Sequence, residues 1–189
     1  MQGLLGFKQQ SMSGKKDSTS SFSLPWIYGP GSYTFTAPVS GTYEFAGWGP
    51  GDGGAAGGKS FSGALFIKAL KLRRGETVAI SVGLAERISN SSGDVYLGTN
   101  TPATVTWSNG VATAAIAAVT GTTPAQASGG DVNIPGNYVT GGPKAAAPSY
   151  GRYQAGPNNT GTRVATSPAG GAQNEVPAGS GLVIVSRIA

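Results

Sequence analysis

Ala103-Thr104-Val105-Thr106-Trp107-Ser108-Asn109-Gly110-Val111-Ala112-Thr113-Ala114-Ala115-Ile116 is the stretch on which the fold class turns. Asn109-Gly110 suits a two-residue type I′ turn, because both residues tolerate positive φ. That turn sets Ser108 opposite Val111, Trp107 opposite Ala112, Val105 opposite Ala114 and Ala103 opposite Ile116. One face then carries Val105, Trp107, Ala112, Ala114 and Ile116, large residues against small, and is expected to be buried. The other carries Thr104, Thr106, Ser108, Val111, Thr113 and Ala115. On this register Trp107→Ala should cost about 3–5 kcal/mol, as for a truncated core aromatic.

Similar alternation surrounds the hairpin. Tyr33-Thr34-Phe35-Thr36-Ala37 has the period of two that marks a half-buried strand. Pro38 to Gly41 break the run, and Thr42-Tyr43-Glu44-Phe45-Ala46 resumes it. Val78, Ile80 and Val82 alternate with Thr77, Ala79 and Ser81 after a turn containing Gly75. Leu65, Phe66, Ala69 and Leu70 fit helical spacing as well as strand. Gly63, Ile67 and the flanking strands favour a strand over Ser62–Leu72. Near the other end of the chain, Gly181-Leu182-Val183-Ile184-Val185-Ser186-Arg187-Ile188 reads as a buried strand. The pattern predicts an all-β fold, an antiparallel β-sandwich of jelly-roll-like type, built from residues 26–120 and 181–189.

Residues 121–180 differ. They hold 12 glycines, seven prolines and five charged residues, and no period survives among them. Because the chain leaves the β region near 120 and re-enters it near 181, this is an insertion tethered at both ends, expected to form surface loops. Residues 1–25 are polar and serine-rich apart from Leu4, Leu5 and Phe7, which Lys8 follows. Too little apolar surface is present there to fold alone. An extended arm is expected, either disordered or anchored to a partner through that apolar group.

Composition excludes several chemistries. With neither histidine nor cysteine in 189 residues, Ser-His-Asp and Cys-His nucleophiles, thiolate metal sites and disulfides are ruled out. The net charge of +5 comes with Lys59, Lys68, Lys71, Arg73 and Arg74 close together. The tightest piece, Lys71 to Gly75, reads as a solvated turn, so nucleic acid is not an expected partner. No apolar run is long enough to cross a membrane as a helix, and the first residues lack the apolar core of a secretion signal.

Gly53-Gly54-Ala55-Ala56-Gly57-Gly58-Lys59-Ser60 fits the phosphate-loop pattern. The context is wrong: Trp48 to Asp52 does not read as a strand running into the loop, and the residues after Ser60 prefer strand to helix. Gly49 to Gly54 also fits the dinucleotide pattern, with no βαβ unit around it. The eight acidic residues form no cluster in sequence. No enzymatic activity and no cofactor are expected.

Taken in order, five elements resemble the glycine-rich domains of bacteriophage tail-fibre, head-fibre and adhesin proteins. They are Ser32-Tyr33-Thr34-Phe35-Thr36-Ala37-Pro38, the strand from Gly41 running into the glycine-rich stretch to Gly58, Gly75 to Gly83, Gly129-Gly130-Asp131-Val132-Asn133-Ile134-Pro135-Gly136, and Gly179 to Val185. The resemblance spans about residues 31–186. It implies a virion structural protein, assembled in the bacterial cytoplasm, displayed on head or tail and contacting the host surface. It also implies a homo-oligomer, for which a trimer is the expected form, attached to other virion proteins through the N-terminal arm. Tyr138, Tyr150, Arg152, Tyr153 and Arg163 are amphipathic or cationic side chains of the kind that meet sugars or outer-membrane loops. Equally, they could pin the loops or fill subunit contacts. The alternative in another class is a carbohydrate-binding module of a bacterial surface protein.

Overall fold

In the computed structural model, residues 25–51, 59–90, 93–98, 101–114, 124–140, 147–153 and 180–189 are described. Every regular element among them is a β-strand. In chain order these are β1 (Trp26–Tyr28), β2 (Gly31–Thr36), β3 (Gly41–Trp48), β4 (Lys59–Phe61), β5 (Leu65–Leu72), β6 (Thr77–Val82) and β7 (Ala85–Asn90). Then follow β8 (Gly93–Gly98), β9 (Ala103–Trp107), β10 (Gly110–Ala114), β11 (Ala127–Ser128), β12 (Val132–Ile134), β13 (Tyr138–Thr140) and β14 (Leu182–Arg187). Two five-stranded antiparallel sheets form the sandwich. Sheet A runs β1-β14-β3-β5-β12, and sheet B runs β11-β10-β9-β6-β2. The pairs β13-β4 and β7-β8 stand beside them.

Alternation places the core between the sheets. Tyr43 and Phe45 from β3, Phe66 and Leu70 from β5, and Val183 and Val185 from β14 face Phe35, Val78, Ile80, Val105 and Ala112 of sheet B, all buried. Phe35 is the aromatic hub, with ring centroids 5.2 Å from Trp26, 5.2 Å from Tyr43 and 5.6 Å from Phe45. Such tilted and edge-to-face contacts suit the ring quadrupoles. Gly47 lies opposite Phe66 and leaves the room that ring takes; a Cβ there would overlap it.

The chain crosses between sheets twice at one end of the sandwich, from β2 to β3 and from β5 to β6. The crossings are tied to each other: Gly75 N–H donates to Ala37 O (2.8 Å) and Ala37 N–H to Glu76 O (2.9 Å). Tyr43, fully buried, donates its hydroxyl to Val39 O (2.7 Å) and so satisfies its one polar group within the same turn.

The hairpin forms, in a different register from the sequence expectation. Gly110 pairs with Trp107, Val111 with Thr106, Ala112 with Val105 and Ala114 with Ala103. The turn is therefore Ser108-Asn109, and Gly110 begins the strand. Every pairing has moved by two residues. A shift of one would have exchanged the faces, whereas a shift of two leaves them as expected. Val105, Ala112 and Ala114 are accordingly buried, and Val111 is exposed. The shift has a steric cause: a Cβ on Gly110 would come within 2.7 Å of the Trp107 ring, so the indole occupies the space above its glycine partner. Trp107 is half-buried at the end of the core, so truncating it should cost less than the range expected above. Ile116 lies outside the described residues.

The expected strand over Ser62–Leu72 begins at Leu65. Within the glycine- and proline-rich segment, residues 124–140 carry β11, β12 and β13, the first joined to sheet B and the second to sheet A. The N-terminal arm, apart from Pro25, lies outside the described residues.

Candidate functional site

The outer face of sheet A is itself apolar. Ala46, Trp48, Leu65, Ile67 and Leu182 point away from the main core, yet all are buried. Residues 147–153 cover part of them. Ala147 and Tyr153 pack into this second cluster, and Tyr153 meets Trp48 edge-on with centroids 6.3 Å apart. The buried Trp48 Nε1–H donates to Pro148 O (2.9 Å).

The segment then turns back on itself. Tyr150 and Tyr153 exchange backbone hydrogen bonds of 2.9 Å in each direction. Gly151 sits at φ +55° inside this turn, where a side chain would be strained. Glu44, on the outer face of β3, ties the turn down. Its Oε1 accepts the Tyr153 hydroxyl (2.8 Å) and Arg152 Nη2 (2.5 Å). The Arg152 guanidinium also donates to the Tyr153 hydroxyl (3.0 Å) and lies over that ring, 5.1 Å from its centroid. Burial pushes the Tyr153 phenol above its ordinary pKa. Donation to Glu44 reinforces the rise, and hydrogen bonds from Ser186 and Arg152 oppose it.

Three of the five sequence-selected contact residues thus meet in one hairpin with different roles. Tyr153 is 6% exposed and acts as the anchor. Tyr150 is 50% exposed and projects outward. Arg152 has one side engaged by Glu44 and Tyr153, while over half its side chain remains accessible. Tyr138 lies on β13 opposite Phe61, away from this hairpin in the sheet pairing. Arg163 lies outside the described residues, as do Leu4, Leu5, Phe7 and Lys8.

A second surface was missed by the sequence reading. At the end of the sandwich where β5 passes into β6, an open groove of about 1030 Å³ is lined by Leu70, Lys71, Arg73, Glu76, Trp107 and Asn109, among others. Its floor spans both sheets. Glu76 fixes the turn by accepting Arg73 N–H on Oε2 (2.7 Å), and Gly75 adopts φ +85° beside it. Trp107 is held on the inner side by the Lys68 ammonium, 5.6 Å from the ring centroid. Lys68 shares the inward face of β5 with Phe66 and Leu70, and its charge is met by Asp131 Oδ1 (2.5 Å). The other oxygen of Asp131 accepts Ala69 N–H (2.8 Å). Burial works to raise the Asp131 pKa, but the hydrogen bonds from Lys68 and Ala69 and the lysine charge outweigh it and hold the carboxyl below its ordinary value.

The signal was present in two pieces: the cationic run Lys71 to Arg74 and the tryptophan at the hairpin end. Nothing local to either piece says that they meet. The chain matches no family model, and no curated protein is significantly similar to it.

Other sequence motifs find plain structural places. Lys59 and Ser60, which end the phosphate-loop-like run, lie on β4 and pair with β13. The carboxylates of Glu44, Glu76 and Asp131 all accept hydrogen bonds that hold segments together. Among the described residues there is no group of three acidic side chains able to hold a metal, and no helix long and apolar enough to cross a membrane.

Proposed function

We propose that this chain is a non-enzymatic structural protein of a bacteriophage particle, a head- or tail-fibre, spike or decoration subunit that meets the host surface through loops held on a β-sandwich. The supporting observation is the Tyr150–Tyr153 hairpin. Its base is clamped to sheet A through Trp48 and Glu44, while Tyr150 and the free edge of Arg152 face outward. A contact surface fixed in this way loses little conformational freedom when it binds. The order of glycine-rich elements along the chain, similar to that of phage fibre and adhesin domains, supports the same reading. So does the structural use of the three carboxylates.

Within this reading the N-terminal arm attaches the subunit to other virion proteins, and the subunit assembles as a homo-oligomer, a trimer. Mass spectrometry of purified particles from an infected host, with immunogold labelling by antibody to residues 147–153, tests the central part. Stoichiometric presence on head or tail is expected; absence from particles that still infect overturns it. Tyr150→Ala, which leaves the Tyr153 anchor in place, is expected to slow particle adsorption several-fold; unchanged adsorption removes the hairpin from host contact. The second reading, a carbohydrate-binding module of a bacterial surface protein, is favoured by the end groove. Recovery of the protein from the cell envelope of uninfected bacteria would select it.

A further inference from the structure

We infer that the groove at the β5–β6 end of the sandwich is a binding site for acidic saccharides, chains of sugars carrying a carboxylate. The inference deepens the function proposed above by naming a ligand class and a second contact site. Only the source of the ligand, a host envelope glycan, rests on that function.

Three features point to this class. The first is charge. Lys71 and Arg73 line the groove and are exposed, and neither meets a carboxylate among the described residues. By contrast Lys68, behind the Trp107 wall, and Arg152, on the outer face of sheet A, each hold an acidic partner. Arg73 belongs to a turn whose backbone is fixed by Glu76 and by the neighbouring crossover, so the start of its side chain is positioned before a ligand arrives. A guanidinium so placed suits the two oxygens of a carboxylate.

The second feature is the wall. Trp107 stands over Gly110 with Lys68 against it, which fixes the indole in one orientation. A fixed aromatic edge next to amide and hydroxyl groups, here Asn109 and Ser108, is the mixed lining that orients a polar ligand with apolar ring carbons. At about 1030 Å³ the opening has room for a short oligomer.

The third feature separates sugars from nucleic acid. The Glu76 carboxylate sits in the lining. Its remaining acceptor capacity suits the hydroxyl donors of a sugar chain, donors that a DNA phosphodiester backbone lacks. The cations are also confined to the end of β5 and the turn after it, whereas a nucleic-acid groove needs charge along a track.

The test uses the purified full chain with tetragalacturonate, a neutral galactose tetrasaccharide and single-stranded oligo-dT. Calorimetry gives affinity, and the indole N–H resonances, assigned through Trp107→Phe, report the site. Expected are binding of the acidic oligomer that shifts the Trp107 resonance and weakens with added salt, and affinity for the neutral sugar lower by about tenfold or more. Lys71→Gln/Arg73→Gln should lower affinity for tetragalacturonate by roughly tenfold, with an unchanged melting temperature because both side chains are exposed. Ser128→Ala, on the open face of sheet B and outside the groove lining, should leave it as in the parent. No binding at about 5 mM tetragalacturonate, or parental affinity in the double variant, overturns the inference. Tighter binding of oligo-dT at the same resonance overturns it in favour of a nucleic-acid surface. Failure of this assay leaves the virion reading standing, and absence of the protein from particles leaves the groove chemistry standing.

Discussion

The two sheets share one core but treat their outer faces in opposite ways. On sheet A, Ala46, Trp48, Leu65, Ile67 and Leu182 point outward and are buried, with half-buried Glu44 and Ile184 beside them and Ile27 exposed at the edge. On sheet B the outward residues are hydroxyl-bearing and small. Ser32, Ser81, Thr104, Thr113 and Ser128 form one in-register row across all five strands, each half-buried or exposed. The next row, Thr34, Ala79, Thr106 and Val111, has no charge either. A strand buried on both faces reads as a continuous apolar run, and one buried on a single face alternates. Leu182-Val183-Ile184-Val185 follows the first rule and Thr77 to Val82 the second. The covered face needs a cover, and the polar residues of that cover become display positions. A hairpin can therefore rest on sheet A in a way that sheet B does not provide.

The largest way to break this asymmetry is Trp48→Ala. It removes a side chain that is 1% exposed, together with its bond to Pro148, and should cost about 4 kcal/mol in chemical denaturation. Next is Trp107→Ala, at the half-buried end of the main core, for which about 2 kcal/mol is expected. A loss as large as that of Trp48→Ala would place the ring deeper than its partner Gly110 allows.

Raising the pH separates the hairpin from the sheets. The folded state keeps the Tyr153 phenol protonated beyond the pH at which it ionises in the unfolded chain. Its contribution is therefore complete below about pH 10 and is lost as pH rises through the elevated folded value. Tryptophan emission should report exposure of Trp48 in that range, and Tyr153→Phe should reduce the pH dependence, leaving the part due to Tyr28, whose phenol burial also raises. The smallest effect belongs to the open face: Thr104→Ala should change stability by less than about 0.5 kcal/mol. A larger loss would mean that the hydroxyl row is covered.

The sandwich was legible because alternation is a local signal: Phe35, Val78, Ile80, Val82, Tyr43 and Phe45 face inward as their spacing requires. Hairpin register was less legible. Asn-Gly favours one turn by backbone conformation, but the bulk of Trp107 over Gly110 favours another. Lys68 was opaque for a similar reason: a lysine on an inward face makes sense only once Asp131, 63 residues further on, is beside it. The hairpin at 150–153 could be picked from residue types, but not the division of labour within it. Glu44 decides that Tyr153 is the anchor, and Glu44 is 109 residues away. The groove depends on two crossings that only the folded chain brings together.

The chain contains no cysteine, so single substitutions report accessibility without background. Ala46→Cys, under the cover of sheet A, and Ala79→Cys, on the open face of sheet B, should react with a maleimide at rates differing by about a hundredfold or more, the second faster, because a buried thiol reacts only through opening. Introducing Tyr153→Ala should speed the reaction at position 46 and leave that at position 79 unchanged. Equal rates at the two positions in the otherwise native protein would contradict the covered face, and with it the hairpin that the cover presents.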